Sequence, residues 1–176
     1  AEQIVAAGHA DVVAVGRAHL ADPEFVRKAS GGPVPLRLCI GINDCINRGV
    51  AEGLPFACAV NPSLGTDDRG PVATTDRPRR LLVIGGGPAG MQLAITAALR
   101  GHSVELWERS DRLGGQVQLA TKLPGQQDFS AFIDWQQQRM QALEVTVKFR
   151  TNATADKVVA AGAQVVACAT GAEPRR

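Results

Sequence analysis

The 176-residue sequence contains no tyrosine, and aromatic residues make up only 4% of it. They nowhere interleave with a basic run, and a formal net charge of +2 supplies no basic field. The usual footprint of a nucleic-acid surface is therefore missing. Long apolar runs are missing too. Stretches such as residues 81–84 fall far short of the roughly 20 residues that a membrane-crossing helix needs. The opening AEQIVAAGHADVV has no basic leader, extended apolar core or cleavage signal, so a cytoplasmic location is expected. Cysteine is sparse, with four residues, and secretory features are lacking, which favours reduced thiols or a metal site over disulfides. His9, His19 and His102 stand at no ligand or triad spacing, and surface or turn positions are expected for them.

What is present is an ordinary globular composition, 45% hydrophobic and 20% charged, enough for one core or for one domain and part of another. The chain opens on Ala1 within an α/β pattern and closes on GAEPRR directly after a strand, so it reads as a segment of a larger protein. Three regions differ. Residues 1–30 predict a helix over 2–7, a turn at Gly8 and a buried strand over 11–15. A second helix is expected to start at Asp22-Pro23, with Asp as N-cap and Pro in the first turn. Residues 31–76 have little periodicity and end in a polar linker, TDDRGPVATTDRPRR. Residues 77–176 are regular.

In that last region residues 81–84 form a continuous apolar run of the kind buried in a parallel sheet. Met91, Ala94, Ile95, Ala98 and Leu99 keep helical spacing up to a stop at Gly101. Further strands are expected over 104–108, 145–149 and 165–169, the last placing Cys168 in the core. Phe129, Phe132, Ile133, Gln136, Met140 and Leu143 lie on one helical face, with Gln136 its polar exception. Alternating strands and helices predict an α/β fold with a Rossmann-like parallel sheet.

Gly85-Gly86-Gly87-Pro88-Ala89-Gly90 fits G-x-G-x-x-G directly after a strand and at the start of a helix, the context that the dinucleotide fingerprint requires. The first glycine permits the tight turn, Gly87 lets backbone approach a pyrophosphate, and Gly90 lets helix and strand pack closely. Free N–H groups at the helix start form the anion site. Glu108, at the end of the second strand, is placed to take a ribose hydroxyl, and it disfavours a 2′-phosphate even with Arg109 beside it. A glycine-rich turn with a surface glutamate is the bland alternative. NAD and FAD share these features. ERSDRLGGQ, with Gly114, Gly115 and Gln116, resembles the extended motif of two-domain flavoproteins, in which a G-G pair follows the acid. Ala169-Thr170-Gly171 resembles their ATG motif. Both imply FAD, with an ADP-like group as the related alternative.

Cys39 and Cys45 flank I-G-I-N-D, and Cys58 follows in FACAVNPSLG. By spacing alone they could form an iron–sulfur site, a Cys39/Cys45 disulfide or plain buried thiols. LCIGINDCINRG with FACAVNPSLG resembles the cluster loop of the 2,4-dienoyl-CoA reductase and trimethylamine dehydrogenase group. This group lies within the NADH:flavin oxidoreductase (old yellow enzyme-like) family. The resemblance implies that Cys39, Cys45 and Cys58 are cluster ligands, with spacing nearer the amine dehydrogenase branch. Ile42 stands where that group has its remaining cysteine. A [3Fe–4S] centre, a [4Fe–4S] centre with Asp44 as ligand, or no cluster all stay open.

The segment G-R-A-H-L-A-D-P resembles the family's last (β/α)8-barrel strand, where phosphate sites of such barrels lie. Gly16 and Arg17 are the candidates there for an FMN phosphate. The resemblance spans barrel end, cysteine loop and the first part of an FAD domain. It implies an oxidoreductase moving electrons between NAD(P)H, FAD, an iron–sulfur centre and FMN, acting on a small organic substrate of enoyl, dienoyl or amine type. No catalytic acid or base can be named in this stretch, and homo-oligomerisation is left open. An FAD/NAD(P)H disulfide reductase-like enzyme without a cluster and a non-catalytic ADP-binding module are the rivals.

Overall fold

Because residues 80–84 are apolar and branched almost throughout, they form the central strand of a sheet. In the computed structural model, which describes residues 1–32, 34–66, 70 and 72–172, the chain divides into two units, Ala1–Gly65 and Thr66–Arg176. Part of the expected linker lies outside the described residues.

The second unit holds four parallel strands: β1 (Arg80–Ile84), β2 (Ser103–Trp107), β3 (Thr146–Lys148) and β4 (Val165–Cys168), ordered β3-β2-β1-β4. The chain steps outward from β1 to β3 and then returns to the other side of β1. This reversal makes a topological switch point between β1 and β4, where open α/β sheets bind ligands at the carboxyl ends of their strands. Leu82 and Val83 of β1 are buried on both faces. Helix α5 (Pro88–Leu99) has Gly87 as N-cap and Pro88 at its first position, and Gly101 follows its end at φ +88°, a left-handed conformation that suits glycine. Helix α7 (Phe129–Ala142) packs beside it. Val83, Met91, Ile95, Leu106, Leu113, Ile133 and Met140 interlock in one core. Short helices α6 (Val117–Ala120) and α8 (Ala155–Ala160) complete the unit.

Cys168 departs from expectation. It lies in β4, which pairs only with β1 among the described residues, and both Cys168 and Val166 are exposed. The apolar run there is real, but no second layer among the described residues covers those side chains.

The first unit contains α1 (Glu2–Ala6), α2 (Arg17–Ala21), α3 (Phe25–Ala29) and the single turn α4 (Asp44–Ile46), which continues into a π-helical turn over Asn47–Ala51. The strand expected over residues 11–15 is not formed: a strand needs a neighbour to receive its backbone hydrogen bonds, and no described segment pairs with it. No barrel wall is evident among the described residues. Asp22 is likewise not the N-cap of a helix that begins at Pro23. It ends α2 in extended backbone, and α3 starts three residues later behind Glu24.

Asp22 instead anchors the unit. Its carboxylate, 1% exposed, accepts Lys28 Nζ at 2.7 and 3.0 Å, the Glu24 N–H at 3.1 Å and the Arg37 N–H at 3.0 Å. Burial alone would raise its pKa, but the Lys28 ammonium and the two backbone donors hold it below the ordinary carboxylate range. Asn61, also buried, donates Nδ2–H to the Leu20 carbonyl at 2.8 Å. Both bonds tie α2 and α3 to the cysteine-bearing segment.

Candidate functional site

The loop between β1 and α5 lies at the switch point, and each glycine in it has a different reason to be there. Gly85 adopts φ +108°, and a Cβ on it would collide with the Ala169 carbonyl oxygen. A Cβ on Gly90 would collide with the Gly85 carbonyl. These two positions are closed by the chain itself. Gly87 is the reverse: its backbone is extended, and a Cβ there would meet nothing within 4 Å. The space over Gly87 is open, directly in front of the first turn of α5. Ala89 and Gly90, in that turn, have no carbonyl four residues back within the helix, and Pro88 has no N–H. Donors, helix dipole and clearance together make an anion cradle.

Glu108 follows β2 and is 8% exposed. Its Oε2 accepts the Gly86 N–H at 2.7 Å, and its Oε1 accepts the Ser110 N–H at 2.8 Å and the Ser110 hydroxyl at 2.9 Å. Burial pushes the carboxyl up. The Ser110 and Gly86 donors, with the charge of Arg109 behind them, outweigh burial and leave its pKa lowered. The acid is therefore a brace of the glycine loop in its own right. A carboxylate offers about four lone-pair sites, so three accepted bonds leave capacity for one further donor.

The second glycine pair reaches the same loop. The Gly114 N–H donates to the Gly86 carbonyl at 2.8 Å, so Gly86 is held from both sides. A Cβ on Gly115 would lie 3.1 Å from the Gly87 Cα, so the close approach of the two segments depends on glycine there. Gln116 donates its Nε2–H to the Ala172 carbonyl, beside Gly171. The structure thus brings together the glycine loop, Glu108, the G-G pair and the ATG segment. Arg109 is exposed at the rim.

Sequence reasoning noticed Gln136 without giving it a role. It is wholly buried, its Nε2–H donates to the Pro88 carbonyl at 3.0 Å, and its Oε1 has no hydrogen-bond partner among the described residues. A polar residue on an apolar helical face was the signal. Its target on α5 could not be read from spacing.

In the first unit Gly16 is the N-cap of α2, with nothing within 4 Å of a Cβ there, and Arg17 donates from Nη1 to Asn43 Oδ1 at 2.6 Å. Arg17 therefore reaches the cysteine loop. Cys39, Cys45 and Cys58 are free thiols that line one concavity together with Ile42 and Asp44. Among the described residues no three His, Cys, Asp or Glu side chains are close enough to share a single metal ion. A multi-iron cluster does not demand that, because each thiolate binds a different iron. The loop does not fit a four-thiolate cluster: three thiols line the concavity, and Ile42 in its wall is a hydrocarbon without a lone pair. His102 accepts the Arg79 N–H at Nδ1, and His19 packs edge-on against Phe25, so both have structural partners.

Residues 67–175 match the model of the pyridine nucleotide-disulphide oxidoreductase family. The chain is 41% identical to an NADH oxidase of Thermoanaerobacter brockii, over 99% of the chain and 27% of that protein. A solved 2-naphthoyl-CoA reductase superposes with a TM-score of 0.92 at 33% identity, covering 99% of this chain and 27% of the other. Histamine dehydrogenase from Rhizobium sp. 4-9 does so with a TM-score of 0.91 at 30% identity, over 99% and 26%. The chain thus spans about a quarter of the length of the relatives it matches. No described helix is long and apolar enough to cross a membrane.

Proposed function

The chain belongs to the pyridine nucleotide-disulphide oxidoreductase family, and on that premise we propose that it forms part of a flavin-dependent oxidoreductase. The parent enzyme passes electrons between NAD(P)H, FAD, an iron–sulfur centre and FMN, and so reduces or oxidises a small enoyl, dienoyl or amine substrate. The observation that carries this reading is the cradle at the switch point: clearance over Gly87, donors at the start of α5, and a buried acid braced against Gly86.

FAD bound there supplies a two-electron acceptor that can also release electrons singly. The chain's own residues provide the grip. Ala89 and Gly90 N–H groups meet the pyrophosphate, Gly87 clears its path, and the free acceptor capacity of Glu108 takes a ribose hydroxyl. Gly115 and Gln116 hold the neighbouring segment against the cradle, and Arg109 adds positive charge at its edge. In the first unit Gly16 offers clearance and Arg17 a guanidinium with donors beyond the one used on Asn43, which suits the FMN phosphate.

Titration of the protein with ADP and FAD tests the cradle. The wild type binds both, whereas Gly87→Val folds normally and purifies without nucleotide, because the added branch fills open space rather than colliding with protein. Full FAD occupancy in Gly87→Val refutes the cradle. A colourless wild-type protein that retains ADP replaces the flavin reading with a structural nucleotide.

A further inference from the structure

We propose that Gln136 is a positioning residue for the nucleotide cradle: from α7 its side-chain amide fixes and polarises the peptide group that offers the Ala89 N–H to a pyrophosphate. The proposal rests on the reading of the β1–α5 loop as a dinucleotide site, and it adds a residue that touches no part of the nucleotide.

Gln136 is out of place by the ordinary rules of packing. It is wholly buried, and Ile133 and Met140, one turn to either side of it in α7, belong to the apolar core. A methionine or leucine would fill the same space with no polar group to satisfy. The glutamine instead brings in two, and only one is used. Its Nε2–H donates to the Pro88 carbonyl at 3.0 Å, while its Oε1 has no partner among the described residues. A buried acceptor left without a donor detracts from stability. Stability is therefore a poor reason for an amide at this position, and the group that its other end meets is the better one.

That group is the first peptide of α5. The Pro88 carbonyl and the Ala89 N–H are the two ends of one planar unit. The carbonyl has two lone pairs. One serves the N–H four residues on within α5, and Gln136 takes the other from outside the helix. A hydrogen bond into the carbonyl draws electron density toward its oxygen and makes the N–H at the opposite end a stronger donor. That N–H has no acceptor within the helix and faces the clearance over Gly87. Pro88 cannot contribute an N–H of its own, so the Ala89 donor is the first that the helix offers.

The same face of α7 supports the other half of the cradle. Ile133, three residues before Gln136, lies so close to Gly114 that a Cβ there would stand 2.9 Å from the Ile133 Cδ1. The Gly114 N–H in turn holds the Gly86 carbonyl at 2.8 Å. Ile133 and Gln136 thus back the G-G pair and the start of α5 from one rigid helical turn. Packing suffices against Gly114. Against Pro88 the contact is directional, which sets the angle of the peptide as well as its distance.

The test is calorimetric titration of the full-length protein, freed of bound flavin, with ADP, and with adenosine by displacement of ADP. Wild type is compared with Gln136→Met, which keeps the length of the side chain and removes both amide groups. ADP affinity is expected to fall about 3- to 10-fold, and adenosine affinity to change by less than about twofold. Adenosine has no pyrophosphate to meet the Ala89 N–H, and its ribose is held at Glu108. An equal loss for both ligands overturns the positioning role, since loosened packing would weaken ribose and phosphate contacts alike. Unchanged affinity for both overturns it as well and leaves the cradle standing. A wild type that binds ADP no more tightly than adenosine overturns the cradle and this inference with it. If Gln136→Met does not fold, Gln136→Leu carries the same comparison with the same expected split between the two ligands.

Discussion

Glu108→Ala separates the two tasks that one carboxylate performs. The side chain accepts three hydrogen bonds of 2.7 to 2.9 Å, from the Gly86 N–H, the Ser110 N–H and the Ser110 hydroxyl. Bonds to a charged acceptor contribute about 1.5–3 kcal/mol each, and truncation orphans the two backbone donors. Water entering the vacated space recovers part of this. We therefore expect the second unit to lose about 2–4 kcal/mol, or on the order of 10 °C in Tm. ADP affinity should fall about 5- to 150-fold, from the lost ribose bond and the loosened Gly86 together. The effect has a pH signature. The carboxyl of Glu108 lies below its ordinary value of 4.5, because the donors of Ser110 and Gly86 outweigh burial. A depressed folded pKa stabilises above the unfolded value and is lost as pH falls through the folded one. The stability gap between wild type and variant should thus be complete above pH 4.5 and close below it. Urea unfolding across pH, with calorimetric ADP titration, measures both quantities. A variant as stable as the wild type, with a gap independent of pH, would refute the brace. Unchanged ADP affinity would refute the ribose contact.

Three further outcomes follow from the geometry. Gly85→Ala forces a Cβ into the Ala169 carbonyl at φ +108°, so it should cost more than about 2 kcal/mol, while Gly87→Ala leaves Tm unchanged; equal melting curves for the two would contradict the loop geometry. Asp22→Ala leaves Lys28, 7% exposed, with only its longer ion pair to the exposed Glu24 at 3.6 Å, and should cost the first unit up to about 3–5 kcal/mol. Hydrogen exchange over residues 17–37 reports it, and in the wild type the same amides should lose protection as pH falls through the depressed Asp22 pKa, below 3.8. Gln136→Met removes the bond to Pro88 but also an amide oxygen without a partner, so stability should change by less than about 1 kcal/mol; a loss above 2 kcal/mol in chemical denaturation would show that the buried oxygen is satisfied in solution.

Local pattern carried much of the second unit. Residues 81–84 are apolar at every position, so β1 could be placed without knowing its neighbours, and G-x-G-x-x-G fixed both where the strand ends and how α5 begins. Boundaries slipped by a residue or two: Glu108 was expected within the second strand, but β2 ends at Trp107 and the acid turns back to Gly86. Residues 11–15 failed for a different reason. Their sequence suits a strand, but strand formation depends on a partner, and that dependence is invisible in the segment itself. Cys168 failed in the same way, since an apolar run predicts burial only when a second layer arrives.

The roles of Asp22, Asn61, Gln136 and Gly114 share one feature. Each bonds a backbone group at a distance in the chain that no short motif encodes: Arg37 from Asp22, Leu20 from Asn61, Pro88 from Gln136 and Gly86 from Gly114. Periodicity can report that a buried position is polar, as it did for Gln136, because the exception stands out against an apolar face. It cannot say which carbonyl or N–H the side chain satisfies, because that is decided when two elements dock. The cysteine loop shows the reverse. Cys39, Cys45 and Cys58 could be singled out residue by residue, and the structure places all three on one concavity. Asp44 lines the same concavity, and Arg17 fastens the turn on which Ile42 stands through the Asn43 side chain.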